Sequence, residues 1–166
     1  MYIGLLSDTH GTFDDPLRNF FSEVDQIWHA GDFGNMATAD ALAAFKPLVG
    51  VYGNCDDHKV RIVYPLTQCF DVEQVKVLML HIGGYPGHYD YHALSLITAH
   101  RPQLFICGHS HILKVVNDKK RDMLCINPGA AGNFGIHTLR TAVRFKVNAG
   151  KISDLEVWEQ KRQQSL

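Results

Sequence analysis

Polar residues able to hold a metal recur in this sequence just after short apolar runs. Asp8 and His10 stand two apart in SDTHG, Asp32 lies in HAGDFGN and Asn54 in YGNCDD. His81 follows the run VLML, and His109 and His111 lie in CGHSHI. Each alone has an ordinary explanation. Asp or Asn after Gly is a common turn residue, and a histidine beside an apolar run can satisfy a hydrogen bond at a core edge. Two Asp, one Asn and four His at successive strand ends are poorly explained as seven coincidences. Carboxylate, amide oxygen and imidazole are usable ligands for divalent transition metals. Three or four would serve one zinc ion, and seven suit two ions that share a carboxylate. An extended backbone at 8–10 is expected to turn Asp8 and His10 to one side. The HxH pair after Gly108 can face one pocket.

Short apolar runs at 2–7, 26–30 and 48–52 read as buried strands, and 16–23 and 37–45 read as helices. This β-α-β-α-β order implies parallel strands, whose carboxyl ends are where ligands gather in open α/β sheets. Further strands are expected over 60–63, 68–72, 75–80 and 104–107, and a helix over 89–99. Antiparallel strands are expected over 112–116, 123–126, 142–147 and 152–158, with a turn at 148–150. Phe13, Trp28, Phe45 and Phe105 are assigned to the core. The reading is one α/β domain over 1–160, with two packed sheets and outer helices, and a polar tail at 161–166 that frays from about residue 160.

Composition sets the outer limits. Of 166 residues, 46% are apolar and 20% charged, which excludes a disordered chain. Sixteen basic and 17 acidic residues leave no broad basic footprint, so no nucleic-acid groove is expected. No apolar run approaches the ~20 residues of a membrane helix. The four cysteines form no CxxC pair. With no positively charged leader evident at the start, the expected location is cytoplasmic.

Taken in order, DxH, GD, GN, a histidine and GHxH, followed by NPGA at 127–130, resemble the calcineurin-like metallophosphoesterases. The likeness is greatest to their small bacterial and archaeal phosphodiesterase branch, and it runs from residue 8 to about 130. The resemblance implies a four-layer α-β-β-α sandwich, with two mixed sheets face to face and helices outside. It implies two divalent metal ions. Asp8, His10 and His111 would hold one, Asn54, His81 and His109 the other, and Asp32 would bridge both. Mn is favoured, with Fe, Ni, Co or Zn open. The implied reaction is hydrolysis of a small phosphate ester by in-line attack of a hydroxide bridging the two ions. Asp32, Asn54, His81 and His109 are the residues tied most closely to it.

Two departures from the family pattern stand out. Many relatives carry His where this chain has Cys55, and a thiol with a pKa of about 8.5 is a poor substitute as proton donor. Ile82 follows His81 where related sequences often have Gly. The segment GGYPGHYDY at 83–91 reads as a loop beside the metals. Cys55, Tyr85 and His88 are the candidate substrate contacts. His29, His58, His92, His100 and His137 are read as structural or surface residues. Asp56 is read as orienting its loop and Asp57 as solvated, while Asn127 and Gly129 shape a loop facing the site. No Arg or Lys is read as flanking a ligand motif closely, Lys59 and Arg61 being taken as the nearest in sequence, and this leans the reading toward a diester. A phosphomonoesterase is the alternative within the same fold. Another is a non-catalytic scaffold, like the small scaffold subunit of the retromer, but degenerate ligands would mark that route. A small phosphate ester is the expected partner, no membrane is expected, and self-association is left open.

Overall fold

In the computed structural model, which describes residues 1–162, apolar side chains alternate between two faces along the inner strands. In β1 (Tyr2–Leu6), Ile3 and Leu5 join one core cluster and Leu6 another. This is the two-residue period of a strand buried on both faces, and it explains why the sequence there reads as continuous apolar residues. The same division runs through β5 (Val75–Leu80). Val75, Val77 and Met79 enter the first cluster, whereas Leu78 and Leu80 enter a third.

Between these strands the chain forms α1 (Asp15–Phe20), β2 (Gln26–His29), α2 (Met36–Phe45), β3 (Leu48–Gly50), α3 (His58–Val63) and β4 (Thr67–Val72). After β5 come β6 (Gly84–Tyr85), β7 (His88–Tyr89), α4 (Tyr91–His100), β8 (Leu104–Ile106), β9 (Leu113–Asp118), β10 (Met123–Pro128), β11 (Leu139–Asn148) and β12 (Lys151–Lys161). One five-stranded sheet has the order β12-β11-β1-β2-β3, and the other β4-β5-β8-β10-β9. Both are mixed. β1, β2 and β3 are parallel, with β11 antiparallel to β1. β5, β8 and β10 are parallel, with β4 and β9 antiparallel at the edges.

The clusters reveal the layers. Ile3, Leu5, Trp28, Val77, Met79, Ile106 and Phe145 pack between the two sheets. Leu17, Leu42 and Val60 bring the first three helices onto the outer face of the first sheet, beside Leu6 and Ile27. Ala93 and Ile97 of α4 cover the outer face of the second sheet. The expected α-β-β-α arrangement is therefore present. Trp28 and Phe105 are fully buried, whereas Phe13 and Phe45 pack edge to face at the margin of the helical cluster.

Several boundaries differ from the sequence expectation. Residues 60–63 lie in α3, although Val60, Ile62 and Val63 favour strands. Asp57 decides the outcome. It is exposed but not merely solvated, since its carboxylate accepts hydrogen bonds from the Lys59 and Val60 N–H groups as a helix cap. Only Val60 faces the core, while Ile62 and Val63 stay exposed. The expected loop at 83–91 contains the hairpin β6–β7, which takes Tyr89 out of the helix. Asp90 then caps α4 through the His92 and Ala93 N–H groups. At the far end β12 pairs with β11 as far as Lys161, so residues 160–161 are held in a sheet. The long hairpin supplies backbone partners that their polar side chains gave no reason to expect. The remainder of the expected tail, 163–166, lies outside the described residues.

Candidate metal centre

The carboxyl ends of β1, β2 and β3 meet those of β5 and β8, and the side chains of interest project from the connections there. Beyond β1 the pairing with the β2 strand continues through Asp8 N–H to Gly31 O (2.9 Å) and His10 N–H to Asp32 O (3.1 Å). The Ala131 and Gly132 N–H groups bind Ser7 O and Asp8 O, which fixes the other side of the same segment. Asp8 and His10 do not converge through extended backbone. Their φ angles are 53° and 43°, and those of Asp32, His109 and His111 are 60°, 68° and 59°. Left-handed backbone costs a non-glycine residue about 1–2 kcal/mol. Five such residues at one place mark a site whose geometry the surrounding structure imposes.

The inner group is tight. The ligand atoms of Asp8, His10 and His111 lie within 4.8 Å of one another, as do those of Asp8, Asp32 and His81. His111 Nε2 is 3.2 Å from Asp8 Oδ1, and His81 Nε2 is 3.2 Å from Asp32 Oδ2. His10 Nε2 lies 3.9 Å from that same Asp32 oxygen. Asp8 and Asp32 are almost completely buried. His109 stands at the exposed rim. Its ring meets His81 edge to face with centroids 5.3 Å apart, and its backbone N–H donates to Asp8 Oδ2. Asn54 is also exposed, with its amide nitrogen 3.4 Å from Cys55 Sγ, and it borders a cavity with His81. Cys55 Sγ lies within 4.8 Å of the ligand atoms of His10 and Asp32. Tyr85 and His88 are cross-strand partners on the β6–β7 hairpin, beside a second cavity that also contains His109.

A second set of groups aims the first. His81 Nδ1 lies 2.8 Å from Ala30 O, so its N–H donates there and the Nε2 lone pair faces the carboxylates. Asp56 accepts three backbone N–H groups. Its Oδ2 takes those of Asp32 (3.0 Å) and Gly53 (2.8 Å), and its Oδ1 that of Gly34 (3.0 Å). Arg61 spans the same loop, donating to Asp56 O and Asn54 O. Gly53 can be nothing else, because a Cβ there would overlap the Asp32 carboxylate. Asn127 ties the GHSH turn by donating to Gly108 O, and it accepts from Gly129 N–H.

The field at the centre is negative. Burial alone would lower the His81 pKa, but the adjacent Asp32 carboxylate and the charge of Asp8 raise it. Burial would raise Asp32, yet the adjacent His81 ring and the hydrogen bond from the Cys55 N–H hold it well below the usual carboxylate range. Burial dominates at His10 and lowers its pKa. Burial and the neighbouring Asp32 charge both push the Cys55 thiol up, which keeps it protonated at neutral pH. The residues fit a cation on one specific ground. Asp8 Oδ1, His10 Nε2 and His81 Nε2 are buried and have no hydrogen-bond partner. Buried acceptors without partners are costly, and His10 and His81 fall in separate candidate groups that share Asp8, so divalent ions held by these groups would satisfy all three.

His29, read from sequence as a structural residue, supports this centre from behind. Its Nδ1 accepts the Gly31 N–H, and its Nε2 contacts Thr9 Oγ1 at 2.9 Å. Full burial depresses its pKa to about 3. An unfolded chain binds this proton near pH 6.5, so the His29 contribution is complete above that pH and lost progressively as pH falls toward 3. The expected slope is about 1.4 kcal/mol per pH unit. Urea unfolding of chelator-treated protein at pH 7 and 5 checks this. From pH 7 to 5 the wild type should lose about 2 kcal/mol more stability than His29→Gln, and equal losses would contradict it.

Sequence reasoning missed Lys114. It lies three residues beyond His111 and borders the cavity that contains His109. The expectation that Lys59 and Arg61 are the nearest cations in sequence overlooked it, although Arg61 does border the cavity beside Asn54 and His81. Its short sequence distance from His111 was the available signal.

Comparison with known proteins agrees with this geometry. A family model described as the calcineurin-like phosphoesterase superfamily domain matches residues 1–150. A protein of Methanocaldococcus jannaschii described as a probable metallophosphoesterase is 31% identical over 136 residues, covering 78% of this chain and 68% of the relative. Among solved structures, a single mutant of Vps29 from Entamoeba histolytica superposes with a TM-score of 0.76 at 15% identity, covering 97% of this chain and 99% of that one. A structure described as a novel archaeal phosphodiesterase gives a TM-score of 0.72 at 20% identity, covering 95% and 100%. At these identities the two structures speak for the fold.

Proposed function

We propose, from the premise that this chain belongs to the calcineurin-like phosphoesterase superfamily, that it is a dinuclear metal-dependent phosphodiesterase acting on a small ester. The observation that carries the proposal is the set of three buried, unpartnered ligand atoms on Asp8, His10 and His81, gathered around two carboxylates. Asp8, His10 and His111 would hold one ion, and Asn54, His81 and His109 the other. Asp32 would serve both, because its Oδ2 is the oxygen that faces His10 and His81. When bound, two divalent ions supply an acidified water and positive charge for the phosphoryl oxygens.

The chain's own groups do the rest. Ala30 O fixes the His81 tautomer, and Asp56 fixes the backbone beneath Asp32. Cavities of about 350 and 330 Å³ flank the centre, one beside His109 and one beside Asn54 and His81. Ile82, the insertion after His81, borders both. Two cavities give each organic group of a diester a place, and this supports the diester reading over the monoester. Manganese is the favoured ion and the cytoplasm the favoured compartment.

Chelation tests the reading. Protein stripped of metal should not hydrolyse bis(4-nitrophenyl) phosphate, and Mn²⁺ should restore turnover. Equal turnover in chelator would refute the mechanism.

Cys55 sets a further expectation. A thiol with a raised pKa donates a proton poorly to a departing oxygen. Aryl esters, whose leaving groups need little protonation, should be cleaved at least about a hundredfold faster than alkyl esters, since general acid catalysis contributes that much. Rates compared under single-turnover conditions decide the matter, and equal rates would count against it.

A further inference from the structure

The cavity beside His109 is built to take more than a phosphoryl group. Its wall includes the β6–β7 hairpin, where Gly84 (φ 77°) admits no side chain because a Cβ would overlap His88 O. That turn sets Tyr85 and His88 side by side with ring centroids 5.0 Å apart. Ile82 and Ile112 also border the cavity and are 42% and 54% exposed, so they offer apolar surface that a flat group would cover. Two charged side chains line it, Lys114 and Asp90. Lys114 Nζ lies 3.3 Å from the centroid of the Tyr85 ring. Among the described residues it pairs with no carboxylate. Among the described residues Asp90 is the one carboxylate lining the cavity, and its Oδ1 is committed to capping α4. Ser110 Oγ accepts from Asn127 and from the Ile112 N–H, which leaves its own proton free to donate.

We propose that this cavity is a subsite for an aromatic substituent bearing its own anionic group, with Lys114 as the residue that recognises the anion. The inference rests on the phosphodiesterase reading and narrows it to esters whose non-reacting or departing arm carries a second negative charge. The apolar rim and the Tyr85 edge receive the ring, and Lys114, held over the Tyr85 face, meets the charge without first leaving a carboxylate partner. Carboxylate, sulfonate and phosphate substituents share this chemistry.

Two inert diester mimics, with carbon in place of both ester oxygens, separate the subsite from the chemistry: benzyl(methyl)phosphinate and its 4-carboxybenzyl analogue. Their binding to Mn²⁺-loaded protein is measured by calorimetry. For the wild type, the carboxylated analogue should bind about tenfold more tightly, the effect of one hydrogen bond to a charged group. That ratio should persist in Lys119→Met, a control for lost surface charge, and fall to about one in Lys114→Met. Thermal unfolding verifies that each variant folds. Equal or absent binding of the two analogues by the wild type overturns the subsite, as does a ratio that survives in Lys114→Met. Turnover of bis(4-nitrophenyl) phosphate, measured alongside, reports separately on the phosphodiesterase reading. Its absence with the binding ratio intact would sink that reading and leave the subsite standing.

Discussion

Replacing Asp32 with Asn should reduce metal-dependent ester hydrolysis at least about a thousandfold. The size follows from what the oxygen does. Asp32 Oδ2 lies 3.2 Å from His81 Nε2 and 3.9 Å from His10 Nε2, at the point where the two proposed ion positions meet. An amide keeps the shape but halves the negative charge of the buried pair Asp8 and Asp32, and its NH₂ group can point at the centre where an acceptor is needed. Losing several kcal/mol of metal-supplied stabilisation corresponds to about a thousandfold or more in rate. Oδ1 has a second task, since it accepts the Cys55 N–H at 2.8 Å. Asn can still accept there, so the fold should survive and unfolding should shift little. Turnover at saturating Mn²⁺, together with metal content, checks the prediction. A variant within tenfold of wild type would remove Asp32 from the centre.

Asp56→Ala should cost more stability than any ligand substitution. Its carboxylate is buried and satisfies three backbone N–H groups, those of Asp32, Gly34 and Gly53. A buried donor left without a partner costs about 1–3 kcal/mol. Some water will enter, so a loss of about 3–5 kcal/mol is expected, or a fall of roughly 10 °C in Tm for a chain of this size. Activity should fall with it, because the same three N–H groups hold the turn that presents Asp32. Asp56→Asn should be milder. Oδ2 accepts two of the three bonds, and an amide oxygen can keep both, which leaves only Gly34 opposed by an NH₂ group. The order wild type, Asn, Ala in both Tm and Mn²⁺ affinity is the expected result. A variant with unchanged Tm would mean that solvent already serves this loop.

Much of this arrangement was legible in the sequence because the ligand types fall just beyond apolar runs. A run such as VKVLML can hardly be other than a buried strand, and the polar residue after it must lie at the sheet's edge. The mode of convergence was less legible. Alternation predicts that Asp8 and His10 share a side in extended backbone, but both adopt positive φ, and contacts with Gly31 O and Asp32 O hold them there. Such a conformation depends on partners distant in sequence. The helix at His58–Val63 was missed for a similar reason, since its strand-like composition is overruled by the Asp57 cap. The hairpin at 84–89 was read as a loop because two-residue strands carry no periodicity. Lys114 was overlooked because its relation to His109 comes from β9 leaving the GHSH turn, which sequence distance to His111 only hints at. For Asp56 the loop-orienting role was expected, but its three N–H partners come from two different connections and could not be counted beforehand.

The central claim is that two ions share Asp32, and metal stoichiometry combined with electron paramagnetic resonance tests it most directly. Protein reconstituted with Mn²⁺ should bind two equivalents per chain and give an exchange-coupled signal. Asp32→Asn should lose the coupling even at metal concentrations that restore occupancy. One equivalent per chain, or two that remain magnetically independent in the wild type, would contradict a shared carboxylate and with it the dinuclear account.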